Sequence, residues 1–124
     1  MPAAQAKIPG PDHPITISPS QKRVRVRLRG EVIADTGDAL DLKESTYPVV
    51  HYVPRRAVQM DRLVRTDRST HCPYKGDASY FSILAQDGTP IENAVWSYET
   101  PFPAMHEIAG YLAFYPNKVE ISAA

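Results

Sequence analysis

The chain has 124 residues with 14 basic and 14 acidic side chains, so its formal net charge is zero, and its hydrophobic content of 43% is ordinary for a globular domain long enough to bury a core without crosslinks. A single cysteine excludes an internal disulfide, and stability therefore does not depend on an oxidising compartment. The first twenty residues hold several prolines and no apolar run, which predicts neither a signal peptide nor a membrane span and makes the cytoplasm the expected location.

Charge is unevenly spread. Lys22 to Lys75 carries 12 basic and 7 acidic residues, whereas Gly76 to Ala124 carries 1 basic and 6 acidic ones. Two halves of opposite sign in one compact domain match each other internally; a cationic binding patch is the sharper alternative.

Residues 1–14, with Pro2, Pro9, Gly10, Pro11 and Pro14, read as a flexible or draped N-terminal arm, and residues 15–122 as a single β domain. Ile15-Thr16-Ile17 fits a short edge strand. Arg23-Val24-Arg25-Val26-Arg27-Leu28-Arg29 alternates without a break, so three apolar side chains point one way and four arginines the other. Such an arginine face normally means solvent exposure or carboxylate partners across the sheet, such as Asp41 or Glu44. Gly30 interrupts the run, Glu31–Asp35 resumes it, and a turn at Thr36-Gly37-Asp38 leads to a strand over Ala39–Glu44. Val49–Val53 is the next strand, stopped by Pro54, which lacks a donor. One helical turn follows at Arg55–Val58.

Met60–Thr66 reads as a strand with Leu63 and Val64 in the core. A central loop then precedes a strand over Ala78–Leu84, an Asp-Gly hairpin at Gln86-Asp87-Gly88 and a return strand over Ile91–Tyr98 that carries Trp96. Pro101–Gly110 is the one helix, with Pro103 in its first turn, Met105, Ile108 and Ala109 as its apolar stripe and Gly110 as its C-cap. Tyr111–Tyr115 and Val119–Ile121 close the chain as strands. Turn signals about every ten residues predict a mainly β fold, an antiparallel open barrel or two-sheet sandwich with one short C-terminal helix.

The central loop, Thr70-His71-Cys72-Pro73-Tyr74-Lys75-Gly76-Asp77, concentrates the reactive groups of the chain. Positive charge from His71 and Lys75 would favour a Cys72 thiolate. Adjacent side chains diverge in extended backbone, however, and Pro73 holds Cys72 extended, so His71 and Cys72 do not make a nucleophilic pair within the loop. Lys75 before Gly76 offers an anion site, although the surrounding residues lack the phosphate-loop pattern. One cysteine and four scattered histidines give no metal-ligand spacing, and no cofactor is called for. Asp35, Asp38 and Asp41 are spaced by threes and include no Asp-x-Asp pair of the kind that holds two cations.

His71-Cys72-Pro73-Tyr74-Lys75-Gly76, Ser79-Tyr80, Asn93-Ala94-Val95-Trp96-Ser97-Tyr98 and Ile108-Ala109-Gly110-Tyr111-Leu112-Ala113-Phe114-Tyr115 together resemble the bacterial and fungal family known as domain of unknown function 427. The segments Arg23–Val26, Gly30–Asp35 and Tyr52–Arg55 fit it too, so the resemblance spans about Ile15 to Ile121. It implies a small, mainly β domain and brings a nucleotidyltransferase-like label without a settled substrate or catalytic residue. The missing Asp-x-Asp pair runs against that label.

Three functions follow as expectations. The first is a binding module for a small anionic or aromatic ligand, with Arg25, Arg55 and Lys75 neutralising charge, Tyr52, Tyr80 and Trp96 lining a pocket, and His71 donating a hydrogen bond. The second is an enzyme with Cys72 or Lys75 as nucleophile and a histidine, His71 among the candidates, moving protons. The third is a protein that self-associates through an exposed sheet edge. A membrane is not an expected partner, and nucleic acid is a minority reading.

Overall fold

The structure, a computed structural model, describes residues 6–124. Residues 1–5 of the expected arm lie outside the described residues. Among the described residues ten strands form three antiparallel sheets and no closed barrel. β1 (Ile15–Pro19), β4 (Leu40–Glu44) and β5 (Val50–Tyr52) make one sheet in the order β1-β4-β5. β2 (Val24–Leu28), β3 (Glu31–Thr36) and β10 (Glu120–Ala123) make a second, ordered β10-β2-β3. The third runs β6-β7-β8-β9, from Leu63–Cys72, Gly76–Leu84, Pro90–Ser97 and Leu112–Phe114. This is the mainly antiparallel β architecture expected from the turn spacing.

Strand periodicity makes the four-stranded sheet a middle layer. Phe81, Val95 and Phe114 are neighbours across β7, β8 and β9 and face one side, where they meet Val24, Val26, Leu28 and Ile33 of the second sheet. Tyr80, Trp96 and Ala113 form the adjacent row and face the other side, toward Leu42 and Tyr52 of the first sheet. The alternating arginine strand behaves as its pattern requires: Val24, Val26 and Leu28 are buried. Its turn to β3 places Arg29 at φ +52° and Gly30 at φ +81°, the pair of positive values that a two-residue hairpin matching the strand twist demands.

Several local expectations are corrected. Arg23 and Arg25 pair with Asp35 rather than Asp41 or Glu44, Arg23 Nε at 2.8 Å and Arg25 Nε at 3.4 Å from its carboxylate, while Arg29 lies 3.8 Å from Asp87 and Arg27 has no carboxylate partner among the described residues. The reason is strand order, because β2 pairs with β3 and β10 whereas β4 lies in another sheet. Met60–Arg62 is a 3-10 turn, and the following strand continues through Cys72, so the presumed loop is a tight hairpin of Pro73, Tyr74 and Lys75. Val64 is 46% exposed, since β6 is an edge strand with one face toward solvent. The helix near the C-terminus is a 3-10 segment, Pro103–Ile108, broken at Met105. Met105 and Ile108 are buried, while Ala109 is exposed.

Candidate functional site

The middle sheet and the first sheet do not close on each other completely. A cleft of about 270 Å³ remains, walled by Tyr80, Trp96, Tyr98 and Tyr115 on one side and by Leu42, Val50 and Tyr52 on the other, with Tyr47 and Pro48 of the β4–β5 turn at its edge and Lys75 and Glu44 also lining it. Tyr80 and Trp96 are direct cross-strand neighbours. Ala113, the residue opposite Trp96 on β9, is small, and the Tyr115 ring lies 4.5 Å from the indole at 45°. Tyr52 meets the indole edge-on at 6.4 Å and its hydroxyl accepts a 3.3 Å hydrogen bond from Trp96 Nε1.

The Cys-Pro-Tyr-Lys hairpin delivers the charge. Gly76, at φ +108°, closes this turn opposite Cys72, a conformation that L side chains rarely adopt. Lys75 is thereby directed inward: its Nζ lies 2.5 Å from Glu44 Oε1, 3.6 Å from Cys72 Sγ and 5.8 Å from the centre of the Tyr98 ring. Glu44 also holds His13 Nε2 at 2.7 Å, and the His13 ring stacks on Tyr74 at 4.2 Å. Lys7 N–H donates to the Pro73 carbonyl at 2.9 Å, so the described part of the N-terminal arm lies over the hairpin. Burial pushes the Glu44 carboxyl up, but hydrogen bonds from Lys75 and His13 outweigh it and hold the group below its ordinary value.

The phenols differ in the same terms. Burial raises Tyr52 and Tyr98 well above the usual tyrosine range. Burial also raises Tyr80, yet hydrogen bonding with Thr70 and Tyr115 and the Arg68 guanidinium prevail, so it ionises below its ordinary value. Tyr115 is pushed up to about 12 by burial and by its 3.3 Å contact with the Tyr80 hydroxyl.

The cleft thus gathers Tyr52, Lys75, Tyr80 and Trp96 from the residues singled out in the sequence, with Cys72 touching Lys75 from beside it. Three others lie elsewhere. Arg25 projects from the second sheet onto Asp35. Arg55 donates to the Gly110 carbonyl at 2.7 Å and to Glu99 at 2.8 Å, and its guanidinium sits over Phe81 on the opposite face of the middle sheet. His71 faces out and bonds Asp77 at 2.7 Å, as adjacent positions on a strand require.

Sequence reasoning missed Tyr98, Tyr115, Tyr47 and Glu44 as lining residues. The first two carried a signal, since each stands two positions from a residue of the Tyr80–Trp96–Ala113 row and so shares its face. Glu44, 31 residues from Lys75, carried none. Among the described residues, no three His, Cys, Asp or Glu side chains cluster as metal ligands, and no helix is long and apolar enough to cross a membrane.

Fold and cleft together define a small antiparallel β protein with an aromatic hollow between two of its sheets. A family model described as Domain of unknown function (DUF427) matches residues 16–124, and the chain belongs to that family. A comparison with curated proteins finds no match.

Proposed function

We propose that the protein binds a small aromatic ligand in the cleft between its first and middle sheets. The observation that carries this reading is the wall itself: Tyr80, Trp96, Tyr98, Tyr115 and Tyr52 present ring faces and edges around about 270 Å³ of open space, room for a ligand of one or two rings. Aromatic pairs in offset or edge-on geometry contribute about 0.5–1.5 kcal/mol each beyond area burial. Among the described residues the only charges lining the hollow are the Lys75–Glu44 pair, and they neutralise each other. This favours the aromatic part of the expected ligand over an anion at the cleft floor.

Trp96 is the one tryptophan of the chain, so its indole N–H cross-peak in a proton–nitrogen NMR spectrum reports on the cleft without ambiguity. Titration with p-cresol is expected to move that peak saturably, with a Kd of roughly 1 mM for so small a probe. An unmoved Trp96 peak in the folded protein, at p-cresol concentrations well above that, overturns the reading.

A second reading, an enzyme with Cys72 or Lys75 as nucleophile, is supported by the 3.6 Å contact between their reactive atoms. Native alkylation of Cys72 by iodoacetamide discriminates it: a rate that rises with a midpoint well below that of a free thiol, about pH 8.5, supports a nucleophile, and an ordinary midpoint removes that support.

A further inference from the structure

We infer that the ligand of the aromatic cleft carries an anionic group, a phosphate or carboxylate attached to its ring, which Arg68 and Lys118 hold in the adjoining hollow beside Tyr115. This rests on the cleft reading and adds the ligand's charge and orientation to it. Tyr115 lines both spaces: its ring packs against Trp96 in the cleft and also walls a second hollow of about 370 Å³ with Arg68, Asn93, Asn117 and Lys118. That second lining holds two cations and two amides and no carboxylate. Its composition matches an oxyanion, since cations neutralise the charge and amides donate to its oxygens.

The two cations are available. Arg23, Arg25, Arg29, Arg55, Arg56, Arg62, Arg65 and Lys75 pair with carboxylates. Among the described residues Lys7, Lys22, Arg27, Lys43, Arg68 and Lys118 do not, and of these six only Arg68 and Lys118 line this hollow. The fold also places them. The β6–β7 register shifts between Arg65 and Ser69, and Arg68, inside that irregularity, brings its guanidinium to 5.0 Å from the centre of the Tyr80 ring. Bulges of this kind re-aim side chains. On β8, Asn93 adopts φ +50°; its N–H donates to Ser82 Oγ at 3.1 Å and its Oδ1 accepts from Thr66 at 2.6 Å. Lys118 is fixed by donation to the Glu92 carbonyl at 2.5 Å, and its backbone N–H donates to the Tyr115 carbonyl at 3.0 Å, in the same turn that carries Tyr115. Trp96, Tyr115, Tyr80 and Arg68 thus form a run of successive contacts, with neighbouring centres 4.5, 6.5 and 5.0 Å apart.

The test compares p-cresol, phenyl phosphate and phenylacetate by the Trp96 cross-peak, for the full chain and for the Arg68→Gln/Lys118→Gln variant, checked for folding by circular dichroism. At low salt, at least one of the two anions is expected to bind about fivefold or more tighter than p-cresol, the size of a partly exposed charge-assisted contact. That advantage should shrink in high salt and fall toward one in the double variant. The stronger of the two anions then identifies the group. Binding of p-cresol with no anion advantage, or an advantage that survives in the folded variant, overturns this inference and leaves the cleft reading standing. Failure of all three probes to move Trp96 overturns both.

Discussion

The two faces of the middle sheet solve the same packing problem differently. Toward the second sheet, aliphatic side chains and Phe81 and Phe114 interlock, and Val24, Ile33, Ile83 and Val95 are fully buried. Toward the first sheet, three tyrosines and few aliphatics form the buried cluster, and a cleft remains. Branched aliphatics have no polar atoms and fill space in many registers. A phenol must also bring its hydroxyl to a partner or to water, which constrains where its ring can lie. The difference teaches that aliphatic rows close one interface of this sheet while tyrosine-rich rows leave the other open.

Substitutions test that contrast, and the largest effect belongs to the closed face. Ile83→Ala should cost about 3 kcal/mol through lost transfer energy and a residual cavity, read as a lower urea midpoint at unchanged slope. Trp96→Leu, facing the cleft, should cost clearly less, because the indole already borders open space. Equal costs for the two would break the comparison.

Next comes the ion pair at the cleft. Lys75→Met should destabilise by about 2 kcal/mol, because it leaves Glu44 facing a largely buried position with only His13 beside it. Adding Glu44→Leu should restore most of that loss, since a buried pair replaced by apolar groups of similar size is close to neutral. A double-mutant cycle from urea unfolding gives the coupling.

The same pair sets a pH dependence of smaller size. Glu44 ionises more readily folded than unfolded, so its contribution is fully present above the ordinary value of 4.5 and is lost as pH falls through the lowered folded value. Wild type should therefore lose more stability than Glu44→Gln on acidification below about pH 5, with the difference between the two unfolding curves isolating this group from the other carboxylates. A larger loss in the variant would contradict the sign.

The smallest effect is spectroscopic. On raising pH, one phenol should ionise below the ordinary tyrosine value of 10.0, and Tyr80→Phe should abolish that early step in the ultraviolet difference spectrum. Arg68→Gln should move it upward, because the guanidinium favours the phenolate. Tyr80 and Tyr115 share a contact, so the later step near 12 belongs to the pair and should itself shift in Tyr80→Phe.

Part of this molecule was legible in its residue order. Alternation in Val24-Arg25-Val26-Arg27-Leu28 identified a half-buried strand, and the Asp-Gly pair located a hairpin, because side-chain period and turn chemistry are local properties. Of the expected site, Tyr52, Lys75, Tyr80 and Trp96 meet in the cleft, while Arg25, Arg55 and His71 do not. Their causes differ: His71 points outward by the alternation of its own strand, whereas Arg25, on β2 of the second sheet, and Arg55, on a 3-10 turn over the opposite face of the middle sheet, miss the cleft because of which layer their elements face.

Amino-acid order alone determined the antiparallel β class and the inward and outward sets of strictly alternating strands such as Val24–Leu28. Those features depend on a few neighbouring residues and on backbone sterics. Only the tertiary structure decided that Glu44 meets Lys75, that Arg23 and Arg25 find Asp35, and that Arg68 stands next to Tyr80 and Tyr115. Such pairings depend on strand order, on register shifts and on which layers face each other, and those are fixed by burial of the whole chain at once.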